Sequence, residues 1–250
     1  MDYTKHLRED QWERIKDSLP GKAGDVGRTG DNRRFIEAVM WMGRSGAPWR
    51  ALPRVYGPWS GVHQRFRRWA KAGVWQMLFN TLAVDADTEW LMIDATIIRA
   101  HQHAAGAKGG SKTQALGRCR GGFTTKLHAV CDALGNPLRF IVTGGERHDC
   151  TQAQALLEGF HAHAVLADKG YDADELVKWI QQTGALVVIP PRSNRTVLRD
   201  YDTALYKERN RVERMFGYLK HFRRVATRYD KTALSFLSFV QLAASYLWLK

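Results

Sequence analysis

With 250 residues, 38 Lys and Arg against 25 Asp and Glu, and a net charge of +13, the chain is long enough to bury a core and is biased toward a polyanionic partner. No stretch approaches the roughly 20 apolar residues of a membrane-spanning helix, and the opening residues MDYTKHLREDQWERIKDSL lack the apolar segment of a secretory signal, so a soluble intracellular protein is expected. Cys119, Cys131 and Cys150 are odd in number and form no C-x-x-C pair, which argues against a disulfide framework or a structural zinc site.

The first elements are helical. EDQWERIKDSLP places Trp12, Ile15 and Leu19 on one face before Pro20 ends the run. After a glycine-rich loop, Asp31 is positioned to cap NRRFIEAVMWMGRSG, whose Phe35, Val39 and Met42 form a second apolar stripe. In the segment that follows, Ser60 is a candidate cap for a helix with Val62, Phe66 and Trp69 inward and His63, Arg65, Arg67, Arg68 and Lys71 elsewhere. Two readings stand for residues 1–85: a helix-turn-helix-like DNA-binding domain, or a helical packing module with a solvated basic face.

From about Asp87 strands and helices alternate. EWLMIDATIIRA reads as a strand, FTTKLHAVCDALGNPLRFIVTGG as a hairpin turning at Gly135-Asn136-Pro137, and DCTQAQALLEGF as a helix capped by Asp149. HAVLADKGY and ALVVIPP read as buried strands on either side of the helix DADELVKWIQQTG, and two helices close the chain. The order predicts, for residues 86–250, an α/β domain built on a mixed sheet flanked by helices.

Three carboxylates in this half stand out. Asp94 sits mid-strand between Ile93 and Ala95, where Asp is disfavoured and an unpaired buried charge costs several kcal/mol. Asp168 follows a buried strand; it either opens a turn with Gly170 or joins Asp94 as one of two strand-borne acids sharing a divalent cation. The third, Glu213, lies in YKERNRVERMFGYLK. At about 100° per residue, Tyr206, Arg209, Glu213, Gly217 and Lys220 fall within an arc of about 80°, beside a core-facing stripe of Val212, Met215, Phe216 and Leu219. An intrahelical pair with Arg209, worth about 0.2–0.5 kcal/mol, would also account for Glu213.

The spacing of Tyr206, Arg209, Glu213 and Lys220 resembles the signature around the third acid of bacterial insertion-sequence transposases of the DDE type. DATIIRAH around Asp94, GRCRGGFTTKLHAVCDALGNPLRF, ERHD at 146–149 and ADKGYDAD around Asp168 are similar to insertion-sequence family five, the IS-five group. PWRALPRVYGPWSGVHQRFRRWAKAGVW is similar to that group's N-terminal DNA-binding region.

The resemblance implies a ribonuclease H-like catalytic fold, with Asp94 on the first strand, Asp168 just after the fourth and Glu213 on a late helix. It implies cleavage at terminal inverted repeats and strand transfer into target DNA. The catalysts would be two Mg²⁺ ions about 4 Å apart, with Mn²⁺ as substitute, held by Asp94, Asp168 and Glu213. Lys220, about 10 Å beyond Glu213, would hold a phosphate; Arg209 would orient Glu213, and Tyr206 would contact a phosphate or pack. A homodimer joining two double-stranded DNA ends, in a bacterial cytoplasm and associated with the nucleoid, completes the expectation.

Two further features bear on DNA. No acid lies between Asp94 and Asp132, where Arg99, Lys108, Lys112, Arg118, Arg120 and Lys126 alternate with glycines, so a flexible basic segment able to clamp a backbone is expected. His101 and His103 there raise a rival reading, a zinc or iron site, which is weakened because His-x-His has no cysteine partner. Some related transposases insert a large β-rich domain before the glutamate helix, whereas only RSNRTVLRDYDTAL fills that gap here, which leaves the second-strand route open. Rival readings are a DNA-binding repressor on an inactive nuclease fold and a nuclease that hydrolyses without joining.

Overall fold

A computed structural model describes residues 7–22, 24, 25, 29–119, 122–196 and 198–250. In chain order come α1 (Glu9–Ile15), α2 (Asn32–Ser45), α3 (Trp59–Lys71), α4 (Val74–Leu82), β1 (Trp90–Ala100), α5 (Gly110–Thr113), β2 (Gly117–Cys119), β3 (Gly122–Cys131) and β4 (Pro137–Gly144). They are followed by α6 (Ala153–Leu157), β5 (Ala164–Leu166), α7 (Asp174–Gln182), β6 (Leu186–Val188), α8 (Thr203–Tyr206), α9 (Asn210–Lys220), α10 (Arg223–Ala226) and α11 (Ala233–Trp248). Among the described residues no helix is long and apolar enough to cross a membrane.

Contacts divide the chain into two compact units. The first comprises Met1–Val84, His101–Ala107 and Leu219–Lys250; the second comprises Asp85–Ala100 and Lys108–Tyr218. The first unit therefore takes in both ends of the chain, because α11 is apolar nearly all round and buries Phe236, Phe239, Val240, Leu242, Ala243 and Ala244. Phe239 stacks on Phe66 of α3 at 4.6 Å, and Trp75 lies 5.5 Å from the same ring. Burial of each such side chain contributes about 1.5–3 kcal/mol. Asp31 caps α2 as expected, its carboxylate accepting from the Arg34 amide at 2.9 Å. Ser60 does not cap α3: the helix starts two residues earlier than such a cap would allow, at Trp59, with Pro58, which has no amide hydrogen to leave unpaired, in the capping position.

The second unit is built on a mixed sheet in the order β2-β3-β1-β5-β6, with β4 also paired to β3. Its principal strands, numbered without the three-residue β2, run 3-2-1-4-5, the ribonuclease H-like arrangement. β3 lies antiparallel to β1 and β4, whereas β5 is parallel to both β1 and β6. The hairpin between β3 and β4 is organised by Asp132, whose carboxylate accepts from the amides of Leu134 at 3.0 Å and Asn136 at 2.6 Å. Gly135 takes φ +87°, and a Cβ there would come 3.2 Å from Arg211.

Two local expectations change. The basic segment after β1 is not a plain loop, since α5 forms within it and β2 pairs with β3. Asp149 is not a helix cap: His148 takes the capping position of a 3-10 turn over Asp149–Gln152, and the Asp149 carboxylate pairs instead with Lys126 at 2.7 Å.

Candidate active site

Asp94 lies on β1 opposite Ala129 of β3. On its other side, the parallel register pairs Met92 with Leu166. Asp94 and Asp168 each lie two residues beyond that last pair of the neighbouring parallel strands, and the Asp168 charge is felt at Asp94. Asp168 is also held by its turn, its Oδ1 accepting from the Gly170 amide at 2.8 Å. Asp94 Oδ1 likewise accepts from the Ala95 amide at 2.7 Å.

Glu213 arrives on α9, whose Val212, Met215, Phe216 and Leu219 are buried, as the helical stripe predicts. The expected Arg209–Glu213 pair is present, and the same guanidinium reaches further. Its Nη1 is 3.2 Å from Asp94 Oδ2 while its Nη2 bonds Glu213 Oε1. One arginine thus ties an acid of the sheet to an acid of the helix, across 115 residues of sequence. Tyr206 packs edge-on to Tyr201 with ring centres 5.6 Å apart, and the Arg209 guanidinium lies 5.8 Å from the Tyr206 ring. Lys220 is the last residue of α9.

The electrostatics follow from this crowding. Burial pushes the Asp94 carboxyl up to about 6; the Ala95 amide and Arg209 oppose the rise, and the charges of Asp168 and Glu213 add to it. Tyr171, just after Asp168, has a buried hydroxyl with no hydrogen-bond partner among the described residues. Burial and the charges of Asp94, Asp149 and Asp168 push its ionisation far up. A buried acid with two further acids near it is a place that favours a cation, and Arg209 is the cation paired there. The donors are all oxygens and so fit Mg²⁺ or Mn²⁺ in kind. Among the described residues no three acid, His or Cys side chains are gathered closely enough to coordinate one ion, and Arg209 holds two of the three acids.

The sequence reading missed the support behind Asp168. Asp172, with a fully buried side chain, accepts from the Arg192 amide at 2.8 Å and Arg195 Nε at 2.6 Å, and also from Arg199. Arg192 in turn donates to the carbonyls of Lys169 at 3.2 Å and Gly170 at 2.8 Å, the turn that carries Asp168. The segment between the last strand and the glutamate helix is therefore a brace for the second acid. The second Asp of ADKGYDAD and the three arginines near 195 were the available signal, but their pairing across 20 or more residues has no local pattern.

Of the predicted DNA contacts, Arg65 is committed elsewhere: its guanidinium stacks on Phe35 at 4.3 Å and Trp69 at 4.9 Å and bonds Asn32. Lys126 is similarly held by Asp149 and by the Arg147 carbonyl at 2.5 Å. Arg67 and Arg68 are exposed on α3 with Gln64 and Lys71, in a stretch from Ala38 to Val84 that contains no acid. Arg118 is exposed, with its guanidinium 5.4 Å from the Phe123 ring; Arg120 lies outside the described residues.

Comparison with known proteins places both halves of the chain in one family. Residues 85–248 match the family model "Transposase DDE domain", and residues 7–79 match "Putative transposase of IS4/5 family (DUF4096)". The chain is 45% identical over 133 residues to "Putative transposase for insertion sequence element IS6501" of Brucella ovis, covering 51% of this chain and 100% of that one. It is 34% identical over 121 residues to "Putative transposase for insertion sequence element IS402" of Burkholderia cepacia, covering 44% of this chain and 55% of that one. Among solved structures, the piggyBac transposase synaptic complex with hairpin DNA aligns with 95% of this chain and 70% of its own at 11% identity, with a TM-score of 0.48. The DDE-domain match alone spans well over half of the sequence, and on it the chain belongs to the DDE transposases of bacterial insertion sequences, enzymes of DNA transposition.

Proposed function

We propose that the chain cleaves DNA at the terminal inverted repeats of its insertion sequence and joins the ends to a target, with Asp94, Asp168 and Glu213 as the metal-holding acids. The observation that supports the assignment is the bridge from Asp94 through Arg209 to Glu213, with the Asp168 charge felt at Asp94. Two Mg²⁺ ions, replaceable by Mn²⁺, would be held by Asp94, Asp168 and Glu213 and would supply Lewis-acid stabilisation of the attacking and leaving oxygens. In the first step a water oxygen bonds to phosphorus, the P–O3′ bond breaks, and the departing 3′ oxygen leaves protonated. In the second, that 3′-hydroxyl attacks a target phosphodiester, exchanging one P–O bond for another.

The remaining roles belong to the chain's own cations. Residues 1–85 form the DNA-binding domain and 86–250 the catalytic domain in this reading. Arg67, Arg68 and Lys71, exposed along α3, neutralise backbone phosphates, and Arg118 does so from the catalytic half. Lys220, seven residues beyond Glu213 on the same helix, holds a phosphate near the end being cut. Two copies bring two ends together.

The test is Glu213→Gln with labelled terminal-repeat duplexes. DNA binding is expected to persist while Mg²⁺-dependent nicking disappears; nicking at the normal rate would refute the metal assignment. Pre-cut ends with a free 3′-hydroxyl and a plasmid target separate a transposase, which yields joined products, from a hydrolytic nuclease, which yields none.

A further inference from the structure

We infer that Arg209 is the resident counter-ion of the acid cluster and competes with the divalent cation for it, so that metal binding requires this guanidinium to leave Asp94. The inference rests on the proposed roles of Asp94 and Glu213 and goes beyond them in assigning Arg209 a place-holding role. One planar guanidinium faces both carboxylates at once, Nη1 toward Asp94 Oδ2 at 3.2 Å and Nη2 toward Glu213 Oε1. Both carboxylates are among those that would hold the metal. The Arg209 and Asp94 side chains are only 16% and 18% exposed, so the contact is shielded from solvent screening, whereas Glu213 at 53% is open and is the acid a metal can reach first.

The surroundings make the exchange feasible. Arg209 lies in a 3-10 turn over Lys207–Arg209 that runs straight into α9, so the exchange needs only its long, flexible side chain to swing away from Asp94. The Tyr206 ring, 5.8 Å from the guanidinium, offers a face on which a displaced cation can rest. A displaced Arg209 is then a free cation beside the acids, available to a DNA phosphate. The bridge also keeps the cluster together without metal, since Asp94 and Glu213 otherwise repel one another.

Competition and orientation predict opposite signs. If Arg209 merely aims Glu213 at the metal, its loss weakens metal binding; if it competes, its loss tightens binding. The full chain, stripped with chelator, is titrated with Mn²⁺ while free Mn²⁺ is followed by electron paramagnetic resonance. Arg209→Gln is expected to bind Mn²⁺ about 10-fold more tightly, the effect of removing one charge-assisted hydrogen bond. Arg209→Lys, which keeps the charge but cannot bridge two carboxylates, is expected to fall between Arg209→Gln and wild type. The metal-free melting temperature of Arg209→Gln is expected to drop below wild type and to recover with Mn²⁺. Unchanged or weaker Mn²⁺ binding in both variants would overturn the inference while leaving the acid assignment standing. Absence of saturable binding in wild type, or wild-type binding in Asp94→Asn and Glu213→Gln, would overturn the acid assignment and this inference with it.

Discussion

Replacing Asp172 tests whether the brace behind Asp168 is as strong as its geometry implies. The carboxylate is fully buried and receives one backbone amide and two guanidinium groups. Asp172→Ala orphans the Arg192 amide, at about 1–3 kcal/mol, and strips Arg195 and Arg199 of their main partner. Those arginines are 20% and 24% exposed and retain Asp174, at 2.5 and 3.8 Å, which limits the loss. The sum is about 3–4 kcal/mol, a large part of a total stability of about 5–15 kcal/mol. Asp172→Asn keeps an acceptor and is expected to lose about 2 kcal/mol. Asp174→Ala, whose carboxylate is 67% exposed, is expected to cost less than about 1 kcal/mol. Urea unfolding measures this: with a slope of about 2–3 kcal/mol/M, Asp172→Ala lowers the midpoint by about 1–1.5 M. Burial acts to raise the Asp172 carboxyl, but Arg195, the Arg192 amide and Arg199 outweigh it and hold it below the usual 3.8. Its stabilisation is therefore present above that pH, is lost as pH falls through the lowered value, and should vanish from the acid limb of Asp172→Ala. A midpoint shift no larger than that of Asp174→Ala would refute the brace.

Arg65 and Arg67, two residues apart on α3, should separate packing from DNA contact. Arg65→Ala is expected to lose about 1–2 kcal/mol of stability with its stacking on Phe35 and Trp69, whereas Arg67→Ala should change stability by less than about 0.5 kcal/mol. In binding titrations against salt, Arg67→Ala should lower the slope by about 1; an unchanged slope would remove Arg67 from the interface. His128, buried with Nε2 2.8 Å from Thr143 Oγ1, is held down to about 4 from 6.5, chiefly by burial. The unfolded chain thus binds this proton first, so stability is full above about 6.5 and falls by roughly 2–3 kcal/mol as pH drops toward 4. His128→Asn should flatten that part of the profile, and an equally steep profile in the variant would show that other groups set it.

Much of the molecule is legible without coordinates because its signals are local. Helical stripes such as Val212, Met215, Phe216 and Leu219, the Asp31 cap and the alternation of strands and helices follow from side-chain periodicity and short-range hydrogen bonding. The spacing from Tyr206 to Lys220 is local too, and by itself it resembles the transposase signature. What periodicity cannot supply is the partner of a charge. Arg65 and Arg67 differ only in which side of α3 meets the aromatic core, so composition gives them one role and packing gives them two. Asp149 reads as a helix cap until Lys126 comes within 2.7 Å of it. Asp172 and its arginines, and Arg209 between Asp94 and Glu213, are joined only when strands and loops far apart in the chain are brought together. The sequence by itself determined which acids and cations the protein has, on which elements they ride, and the one-turn pair Arg209–Glu213; the tertiary structure decided which of the others neutralise one another, because Coulombic and hydrogen-bond pairing between distant segments depends on distances in space that spacing along the chain does not encode.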